Sequence, residues 1–349
     1  MRQLHFASDN NAGVAPPVLD AVVAEAARTD AAYGWDSTSQ RMEEALADVF
    51  ERPVEVFCVP TGTAANALCL AATNPVWGGV VCHERAHIVV DECAAPTALG
   101  GGLTLLPVPA EHGRLEAGAV AAFLDARHDT GVHSVPATSI SITQATEAGT
   151  RYAPDDIAAL ADLAHGRGMA LHMDGARFAN AVAAAGSTPA ELSWRSGVDI
   201  MSLGATKGGA LAAEAIVAFD ESRREPLERL RKRSGHLLSK QRFAAAQFNA
   251  WFESGRWLGL ADHANQQAQR LAEGLTAIGV PLAHPVEANI VFADLEPAAI
   301  DNARAAGAQF YMDDPVANPD GTRRIRLVTS WSTEPDDVDA LLAALSAMM

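Results

Sequence analysis

The sequence has few cysteines, and no long apolar run. Its four cysteines, Cys58, Cys69, Cys82 and Cys93, form no CxxC pair, which argues against a zinc knuckle or a disulfide scaffold and predicts buried, unpaired thiols. No stretch approaches the roughly 18 apolar residues of a membrane-spanning helix. The opening MRQLHFASDN lacks the basic and then apolar order of a secretory signal. These absences predict a cytoplasmic protein without a metal site or a membrane segment.

Positive charge is also scarce. The 349 residues include 26 Lys and Arg against 43 Asp and Glu, a formal net charge of −17. Such a surface repels a phosphate backbone, so the composition argues against nucleic acid as a partner. Apolar types at 49% and charged types at 20% are typical of a globular chain. An anionic ligand must therefore be held by a local arrangement of donors.

Short apolar runs alternate with stretches of helical periodicity from about residue 52 to residue 220. This alternation predicts an α/β fold in which helices sandwich a mostly parallel, seven-stranded sheet. Ligands of such sheets bind outside the carboxyl ends of the strands. The predicted strands are VEVFCV (54–59), GGVVCH (78–83), LTLLPV (103–108), TSISIT (138–143), MALHMD (169–174), DIMSLG (199–204) and AIVAFD (215–220), and the predicted helices are 63–72, 115–126, 154–166 and 177–185.

The pattern changes after residue 220. An Arg-rich helix is predicted within 221–243, and a long helical pattern runs from 243 to 278. A smaller α+β region follows, with strands near 288–293 and 324–329 and a final helix over 335–349. We therefore predict a large domain over residues 1–250, including the N-terminal segment, and a small C-terminal α+β domain over residues 251–349.

Two polar segments follow neighbouring apolar strands. In MSLGATKGGA, a strand leads into Lys207 and then two glycines, which permit a sharp turn. In MALHMDGARF, a strand ends at Asp174 shortly before Arg177. Lone Lys-Gly-Gly segments are common in surface loops, and Asp174 also suits a helix cap. The sharper hypothesis is that a buried Asp174 faces the ring nitrogen of a pyridine cofactor whose aldehyde is bound to Lys207.

A third segment, VPTGTAANAL, takes a strand through Thr61, Gly62 and Thr63 into a helix. Backbone N–H groups at a helix N-terminus converge on one point and bind anions without a basic surface. An empty helix cap is the alternative. The segment lacks the GxxxxGK[ST] and GxGxxG spacings, so it does not indicate a nucleotide cofactor.

Together these segments resemble the aspartate-aminotransferase-like enzymes that depend on pyridoxal 5′-phosphate (PLP), and more narrowly the threonine aldolases of the β-eliminating lyase family. The resemblance implies an aspartate-aminotransferase-like fold and PLP as the cofactor. It covers nearly the whole chain, and the matching segments occur in the family's order: FASDN (6–10), AYGWD (32–36), PTGTAAN (60–66), ERAHIVVDE (84–92), HMDGAR (172–177), ATKGG (205–209) and RLVTSW (326–331).

The resemblance assigns roles to the residues that match these motifs. It implies that Lys207 binds PLP covalently and that Asp174 keeps the pyridine nitrogen protonated. It further implies that Gly62 and Thr63 hold the phosphate and that His87 stacks on the ring. A half-buried helix histidine is the alternative for His87.

Other matched positions concern the substrate and the subunit interface. Ser8, Arg177 and Arg326 match positions that bind the substrate carboxylate or the cofactor's phenolic oxygen, for which a planar guanidinium is suited. Tyr33 matches a segment that approaches a neighbouring subunit's site, which implies a homodimer or a homotetramer. A basic stretch matches another such segment, although a solvated basic face explains it equally well: Lys232, Arg233 and Lys240.

One segment departs from the family. Many threonine aldolases carry Glu-Asn-Thr-His where this chain has Gln144-Ala145-Thr146-Glu147, so Glu147 stands in place of a second active-site histidine. The resemblance therefore leaves three candidates for the base that removes the substrate's hydroxyl proton: His87, Glu147 and an ordered water. It also leaves the preference between threo and allo substrates open.

The activity that the resemblance implies is retro-aldol cleavage. L-Threonine, L-allo-threonine and related β-hydroxy-α-amino acids such as phenylserine would give glycine and an aldehyde. The same Lys–Asp pair serves aminotransferases and β-eliminating lyases that act on small amino acids, so these remain alternatives. A binding or regulatory module with this fold and a metabolite-binding α/β protein without PLP are the non-catalytic alternatives.

Overall fold

The computed structural model describes residues 3–128, 130–313 and 316–346. The strands found there are β1 (Leu4–His5), β2 (Glu55–Val59), β3 (Gly79–His83), β4 (Thr104–Val108), β5 (Ala137–Thr143), β6 (Ala170–Gly175), β7 (Ile200–Gly204), β8 (Glu214–Ala218), β9 (Ile290–Leu295), β10 (Ala308–Gln309), β11 (Tyr311–Met312) and β12 (Arg323–Val328). The α-helices are α1 (Pro16–Ala26), α2 (Ser37–Val49), α3 (Gly62–Thr73), α4 (His87–Val90), α5 (Ala95–Leu99), α6 (Ala117–Ala126), α7 (Pro154–His165), α8 (Phe178–Ala185), α9 (Arg224–Arg233), α10 (Arg242–Phe252), α11 (Arg256–Ala277), α12 (Pro297–Ala305) and α13 (Pro335–Ser346).

Seven strands form the central sheet in the order β2-β8-β7-β6-β5-β3-β4. Strand β8 runs antiparallel to both of its neighbours, and the other pairs are parallel. All seven strands predicted from the sequence are therefore confirmed, with bounds that shift by one or two residues. The carboxyl ends of the six parallel strands lie along one edge, where the sequence predicts the ligand.

Helices cover both faces of this sheet, and side chains that alternate along the strands separate the two cores. On one face, Phe57 of β2 and Ile216 of β8 pack against α3. On the other, Cys58 and Val217 join a larger cluster that includes Met42 of α2. Because both faces are buried, the strands read as nearly continuous apolar runs, which made them recognisable in the sequence.

The C-terminal region contains a second, smaller sheet with antiparallel order β11-β12-β9. Strand β1 pairs in parallel with β10, and Leu4 joins the apolar cluster beneath this region. Helix α11 runs between the two cores, since Trp257 near its start belongs to the large cluster and Leu271 to the small one.

Two helix predictions are wrong in their extent. The long pattern over 243–278 is two helices, because the backbone breaks at Ser254 and Gly255, which both have positive φ. The Arg-rich helix ends at Arg233, and Gly235 follows with a φ of +82°. The predicted strands over 288–293 and 324–329 are confirmed as β9 and β12. The predicted final helix is present through Ser346, and its residues 347–349 lie outside the described part of the chain.

The cysteine prediction holds for three residues and fails for the fourth. All four thiols are unpaired, and Cys58, Cys69 and Cys82 are buried, but Cys93 is exposed. Cys93 lies in the turn between α4 and α5, with a φ of +48°. No helix in the described ranges is long and apolar enough to cross a membrane.

Candidate active site

Asp174 lies at the carboxyl end of β6 and is 3% exposed. Its Oδ2 accepts a hydrogen bond from Asn66 Nδ2 at 2.7 Å, and its Oδ1 accepts one from the Ala176 N–H at 2.9 Å. Burial alone would raise the pKa of this carboxyl, but His87, the Ala176 N–H and Lys207 together hold it below the ordinary value. The side chain is therefore an anion that is available to hold a proton on a neighbouring ring nitrogen.

A chain of buried hydrogen bonds joins Asp174 to His87. The Asn66 amide on α3 donates to Asp174 and also to Glu92 Oε1 at 2.8 Å, and His87 Nδ1 lies 2.8 Å from the same Glu92 oxygen. The bond to Glu92 is the main cause that raises the pKa of His87. Because Glu92 engages Nδ1, the other ring nitrogen, Nε2, remains available to a ligand.

A buried histidine lies behind Asp174 on the same face of the sheet. His172 Nδ1 is 2.9 Å from the Ser141 hydroxyl, and burial lowers the pKa of His172 to about 4. The imidazole is therefore neutral at physiological pH. Ser202 of the neighbouring strand β7 donates a further hydrogen bond to Asp174 at 3.4 Å.

Lys207 lies in the turn between β7 and β8. Gly209 adopts a φ of +106°, and a Cβ at Gly208 would lie 2.8 Å from the Trp251 ring, so this turn requires both glycines. The Lys207 amine makes no hydrogen bond or ion pair with any described residue. Burial lowers the pKa of Lys207, and the nearby Arg177 lowers it further. A lowered pKa increases the fraction of neutral, nucleophilic amine.

The start of α3 provides a set of backbone donors at the same edge of the sheet. The Thr61 hydroxyl accepts from the Ala64 N–H at 3.1 Å, and the Thr61 carbonyl accepts from the Ala65 N–H. The N–H groups of Gly62 and Thr63 have no intrahelical acceptor. They can therefore hold an anion, such as a phosphate, at this helix N-terminus.

The Arg177 guanidinium is already engaged by a carboxylate. Its Nε and Nη2 donate to the two Asp9 oxygens at 2.7 and 2.9 Å, and Asn289 Nδ2 donates to Asp9 at 3.1 Å. Burial would raise the pKa of Asp9, but Arg177 and Lys207 hold it below the ordinary value. Arg177 is thus fixed by a buried bidentate pair, which leaves Nη1 and the second N–H of Nη2 for a ligand.

Arg326 differs, because its guanidinium has no hydrogen-bond or ion-pair partner among the described side chains. It lies on β12 between Phe292 of β9 and Tyr311 of β11, and it is half-buried. Burial lowers the pKa of Arg326, and the neighbouring Arg177 adds to the effect. A half-buried cation without a partner indicates that an anionic ligand completes the site.

The remaining predicted residues lie in different settings. Ser8 is half-buried, and its hydroxyl accepts a hydrogen bond from the Asn10 N–H at 3.2 Å. Tyr33 is 47% exposed, and the Lys232 amine lies 5.5 Å from its ring centre. The other members of the basic stretch, Arg233 and Lys240, are exposed in the described chain.

Glu147, the residue that departs from the family pattern, contacts the His87 segment. Its Oε1 accepts from the His87 N–H at 2.7 Å and from the Thr143 hydroxyl at 2.9 Å. Burial and the charge of Asp174 raise the pKa of Glu147. Glu147 therefore holds the start of α4, and its buried Oε2 has no partner in the described structure.

His87, Glu92 and Asp174 also form a group of three potential metal ligands whose donor atoms lie within 4.8 Å of one another. The Asn66 amide donates a hydrogen bond to one oxygen of each of the two carboxylates. Two surface depressions of about 410 and 670 Å³ lie along α8 and α11 and contain none of the predicted site residues.

Sequence reasoning missed several residues of this site. Asn66 lies one helical turn after Gly62, and Glu92 follows His87 by five residues. Both lie within segments that carry the family resemblance, PTGTAAN and ERAHIVVDE. Asp9 likewise lies inside FASDN. A charged residue within a buried segment is the signal that identifies Glu92 and Asp9, because burial requires a partner.

Four features fit PLP and an amino acid. Lys207, with a lowered pKa and no partner among the described residues, fits the aldehyde, and the ionised Asp174 fits the ring nitrogen. The donors at the start of α3 fit the phosphate, and Arg326, which has no partner among the described side chains, fits the amino-acid carboxylate. The fold and this site thus define a PLP-dependent enzyme with an aspartate-aminotransferase-like fold. Residues 5–298 match the model of the family described as "Beta-eliminating lyase", and the chain belongs to that family.

Sequence and structural relatives agree with this assignment. The chain is 40% identical over 346 residues to a low specificity L-threonine aldolase of Pseudomonas aeruginosa, covering 99% of this chain and 97% of the relative. It is 38% identical over 345 residues to a low specificity L-threonine aldolase of a Pseudomonas species, with coverage of 99% and 97%. A structure of a Leishmania major threonine aldolase superposes with a TM-score of 0.92 at 27% identity over 99% of each chain. Aspartate aminotransferase from Thermus thermophilus, 16% identical with a TM-score of 0.72 over 99% of this chain and 92% of that one, shares the fold.

Proposed function

We propose that this enzyme cleaves L-threonine, L-allo-threonine and related β-hydroxy-α-amino acids, such as phenylserine, to glycine and an aldehyde. The observation that carries the proposal is that one edge of the sheet holds both Lys207, whose amine has no partner among the described residues, and the ionised, buried Asp174. The two Pseudomonas relatives, named as threonine aldolases, support the choice of reaction.

The cofactor-binding residues in this proposal are the ones whose donors and charges fit PLP. Lys207 holds the aldehyde, Asp174 keeps the ring nitrogen protonated, Gly62 and Thr63 hold the phosphate, and the His87 ring stacks on the cofactor. When bound, PLP supplies an electron sink for the negative charge that cleavage leaves on Cα. The ionised state of Asp174 is what keeps this sink effective, because a neutral side chain would not hold the proton.

Substrate orientation falls to two arginines and a serine in this proposal. Arg326 binds the α-carboxylate, since it is half-buried and has no other partner in the described chain. Arg177, held by Asp9, presents Nη1 to the carboxylate or to the phenolic oxygen of the cofactor. Ser8 lies beside Asp9 and adds a hydroxyl at the same place. By fixing the carboxylate, these residues would orient the substrate so that one particular bond at Cα is the bond that breaks.

We assign the removal of the hydroxyl proton to His87. Glu92 engages its Nδ1, so Nε2 is the ring nitrogen that can accept the proton, directly or through one water. Glu92 stabilises the imidazolium that results, which is why it raises the pKa of His87. Because the base must be neutral to accept a proton, activity should fall on the acidic side of a pKa above about 6.5, the ordinary value for histidine. Glu147 has a positioning role, since it holds the His87 N–H.

Replacing His87 with phenylalanine separates proton transfer from stacking. Phenylalanine retains an aromatic face but has no nitrogen, so we expect kcat for threonine cleavage to fall about 10²- to 10⁴-fold, while PLP affinity changes much less. Glu147→Gln is the matched variant, because a glutamine oxygen can still accept the His87 N–H, and its rate should stay within about tenfold of the parent. Near-normal cleavage by His87→Phe, with a large loss in Glu147→Gln, would transfer the role of base to Glu147.

The reaction itself is tested by its products. Purified enzyme supplied with L-threonine is expected to release glycine and acetaldehyde in equal amounts, and phenylserine should yield benzaldehyde. An aminotransferase would instead require a keto acid acceptor, and a β-eliminating lyase would release ammonia and a keto acid. Measuring glycine, acetaldehyde, ammonia and keto acid in one incubation with L-threonine distinguishes these activities. Keto acid without glycine would contradict the proposal.

We further propose that the enzyme acts as a homodimer or homotetramer with active sites at the subunit interface, and that it acts in the cytoplasm. The exposed Trp35, 80% accessible, and Tyr33 nearby are typical of interface surfaces. Four unpaired cysteines suit a reducing compartment. We place the domain boundary near residue 250, just before the backbone break at Ser254. Molecular mass in solution and cell fractionation test the first two proposals.

A further inference from the structure

Glu214 is a buried carboxylate that the proposed reaction does not use. It is the first residue of β8 and is 7% exposed. In the sheet it lies opposite Val59, the last residue of β2, and Gly204, the last residue of β7. Glu214 is therefore at the edge where the parallel strands end, which is also the edge of the proposed cofactor site.

The Glu214 carboxylate lies beside the start of α3. A Cβ on Gly62 would be 3.7 Å from Glu214 Oε2, and one on Gly204 would be 2.9 Å from the same oxygen. Because Gly62 and Gly204 have no side chains, the Glu214 side chain occupies the space beside them. The carboxylate thus adjoins the N–H groups to which we assign the phosphate of PLP.

The charged surroundings do not neutralise Glu214. The Thr206 hydroxyl hydrogen-bonds to it, and Lys207 is the cation that acts on it, while Asp174 opposes its ionisation. Among the described residues, β7 has no titratable residue, α3 has only the Cys69 thiol, and β2 has the Cys58 thiol and, at its far end, Glu55. Helix α9, which shares an apolar cluster with β8, carries the buried Arg231, but this guanidinium donates to the Cys58 carbonyl and to Gln241. Both thiols are buried, and burial raises the pKa of each well above neutrality.

An ionised carboxylate and a phosphate dianion at adjacent positions in a buried site would repel each other strongly. Lys207 does not resolve this conflict, because its single charge is already shared among Asp9, Asp174 and Glu214. Within this subunit, protonation of the carboxyl is the remaining way to remove the charge. A neutral acid also has an O–H that can donate to an anion.

We propose that Glu214 takes up one proton from solvent when the phosphate of the cofactor binds, so that the site is loaded with Glu214 as a neutral acid. This inference rests on the proposed position of the phosphate at the start of α3. Burial raises the pKa of Glu214 to about 7 in the cofactor-free chain. The proton is therefore already present in mildly acidic solution, and it must be taken up when loading occurs at a higher pH.

The test uses the full-length chain freed of cofactor and 4′-deoxypyridoxine 5′-phosphate, which has the ring and phosphate but no aldehyde to react with Lys207. Calorimetric titration in two buffers with different ionisation enthalpies gives both the Kd and the number of protons taken up. The wild type is compared with Glu214→Gln at pH 6.5 and 8.5. Glu55→Gln, on β2 at the far end of the same strand pair, is the matched control.

At pH 8.5 the wild type is expected to take up about one proton more than Glu214→Gln on binding. The ratio of the wild-type Kd to the Glu214→Gln Kd should rise about 20-fold between pH 6.5 and 8.5. Each pH unit above the pKa of Glu214 in the cofactor-free chain lowers the wild-type affinity about tenfold. Glu55→Gln should follow the wild type. Equal proton uptake by wild type and Glu214→Gln, or a Kd ratio that does not change with pH, would overturn the proposal.

A second measurement does not depend on the variant. The wild type at pH 8.5 should take up about one proton more with 4′-deoxypyridoxine 5′-phosphate than with 4′-deoxypyridoxine, which lacks the phosphate. Equal uptake from the two ligands contradicts the role of Glu214 even where Glu214→Gln fails to fold. Failure of the wild type to bind either ligand would instead overturn the PLP site and with it this inference.

Discussion

Lys207→Ala is expected to lose at least about 10³-fold in kcat/KM for threonine cleavage, which corresponds to about 4 kcal/mol or more of transition-state stabilisation. The reason is that Lys207 is a buried amine with a lowered pKa and no partner in the described structure, so no other group there can replace it as the nucleophile. The purified variant should also lack the absorbance near about 420 nm that a lysine-bound PLP gives. Steady-state kinetics and the visible spectrum provide the two measurements.

The small number of lysines makes the attachment site testable directly. The chain has only three, Lys207, Lys232 and Lys240. Borohydride reduction of the wild type followed by peptide mapping should place the cofactor on Lys207 alone. Arg167→Ala, which removes an exposed residue paired with Asp125, controls for handling and should keep parental activity. Full turnover by Lys207→Ala, or a label on Lys232 or Lys240, would end the assignment.

Asp174→Asn is expected to cost at least about 10³-fold in kcat while the protein remains folded. Asparagine has the same shape and still has an oxygen to accept the Ala176 N–H, but it cannot be an anion. The ring nitrogen would then lose the charge that holds its proton, and the cofactor would stabilise a carbanion poorly. Because Asp174 has a lowered pKa, its ionisation should contribute no acidic limb to the pH profile between about pH 5 and 9.

The Asp174 prediction has a matched control on the adjacent strand. Asp199 immediately precedes β7 at the opposite edge of the sheet, where it accepts the Leu171 N–H at 2.7 Å. Asp199→Asn should therefore keep kcat within about twofold, and any loss should appear in thermal stability. Asp174→Glu should restore part of the rate, since it returns the charge with an altered reach. Equal kcat for Asp174→Asn and wild type would remove the carboxylate from the mechanism.

The sequence predicted the central sheet well because of how that sheet is buried. Strands covered on both faces are short, continuous apolar runs, and each is followed by a turn with a recognisable signal. Asp174 and Lys207 follow two such runs, and the rule that parallel strands bring their carboxyl ends to one edge predicted their proximity. The antiparallel direction of β8 was not predicted, because the pattern of an apolar run does not show how the strand runs relative to its neighbours.

The helix errors have a similarly local cause. Hydrophobic periodicity continues from α10 into α11 almost without interruption, so the break at Ser254 and Gly255 left little trace in the pattern. Cys93 was misjudged because cysteines are usually buried, a tendency that does not apply to a residue in an exposed turn. Both cases depended on packing around a turn rather than on residue type.

The amino-acid order was enough to predict the fold class and the cofactor and to single out Lys207 and Asp174, because short segments in the family's order carry the resemblance and both residues follow closely on an apolar strand. Tertiary structure alone decided that Asn66 and Glu92 connect His87 to Asp174, that Asp9 engages Arg177 while Arg326 has no partner among the described side chains, and that Glu214 lies beside Gly62. These pairings join segments far apart in the chain. The charges and pKa values of these site residues depend on burial and on distances between them, and both are set only when the sheet brings its strand ends together.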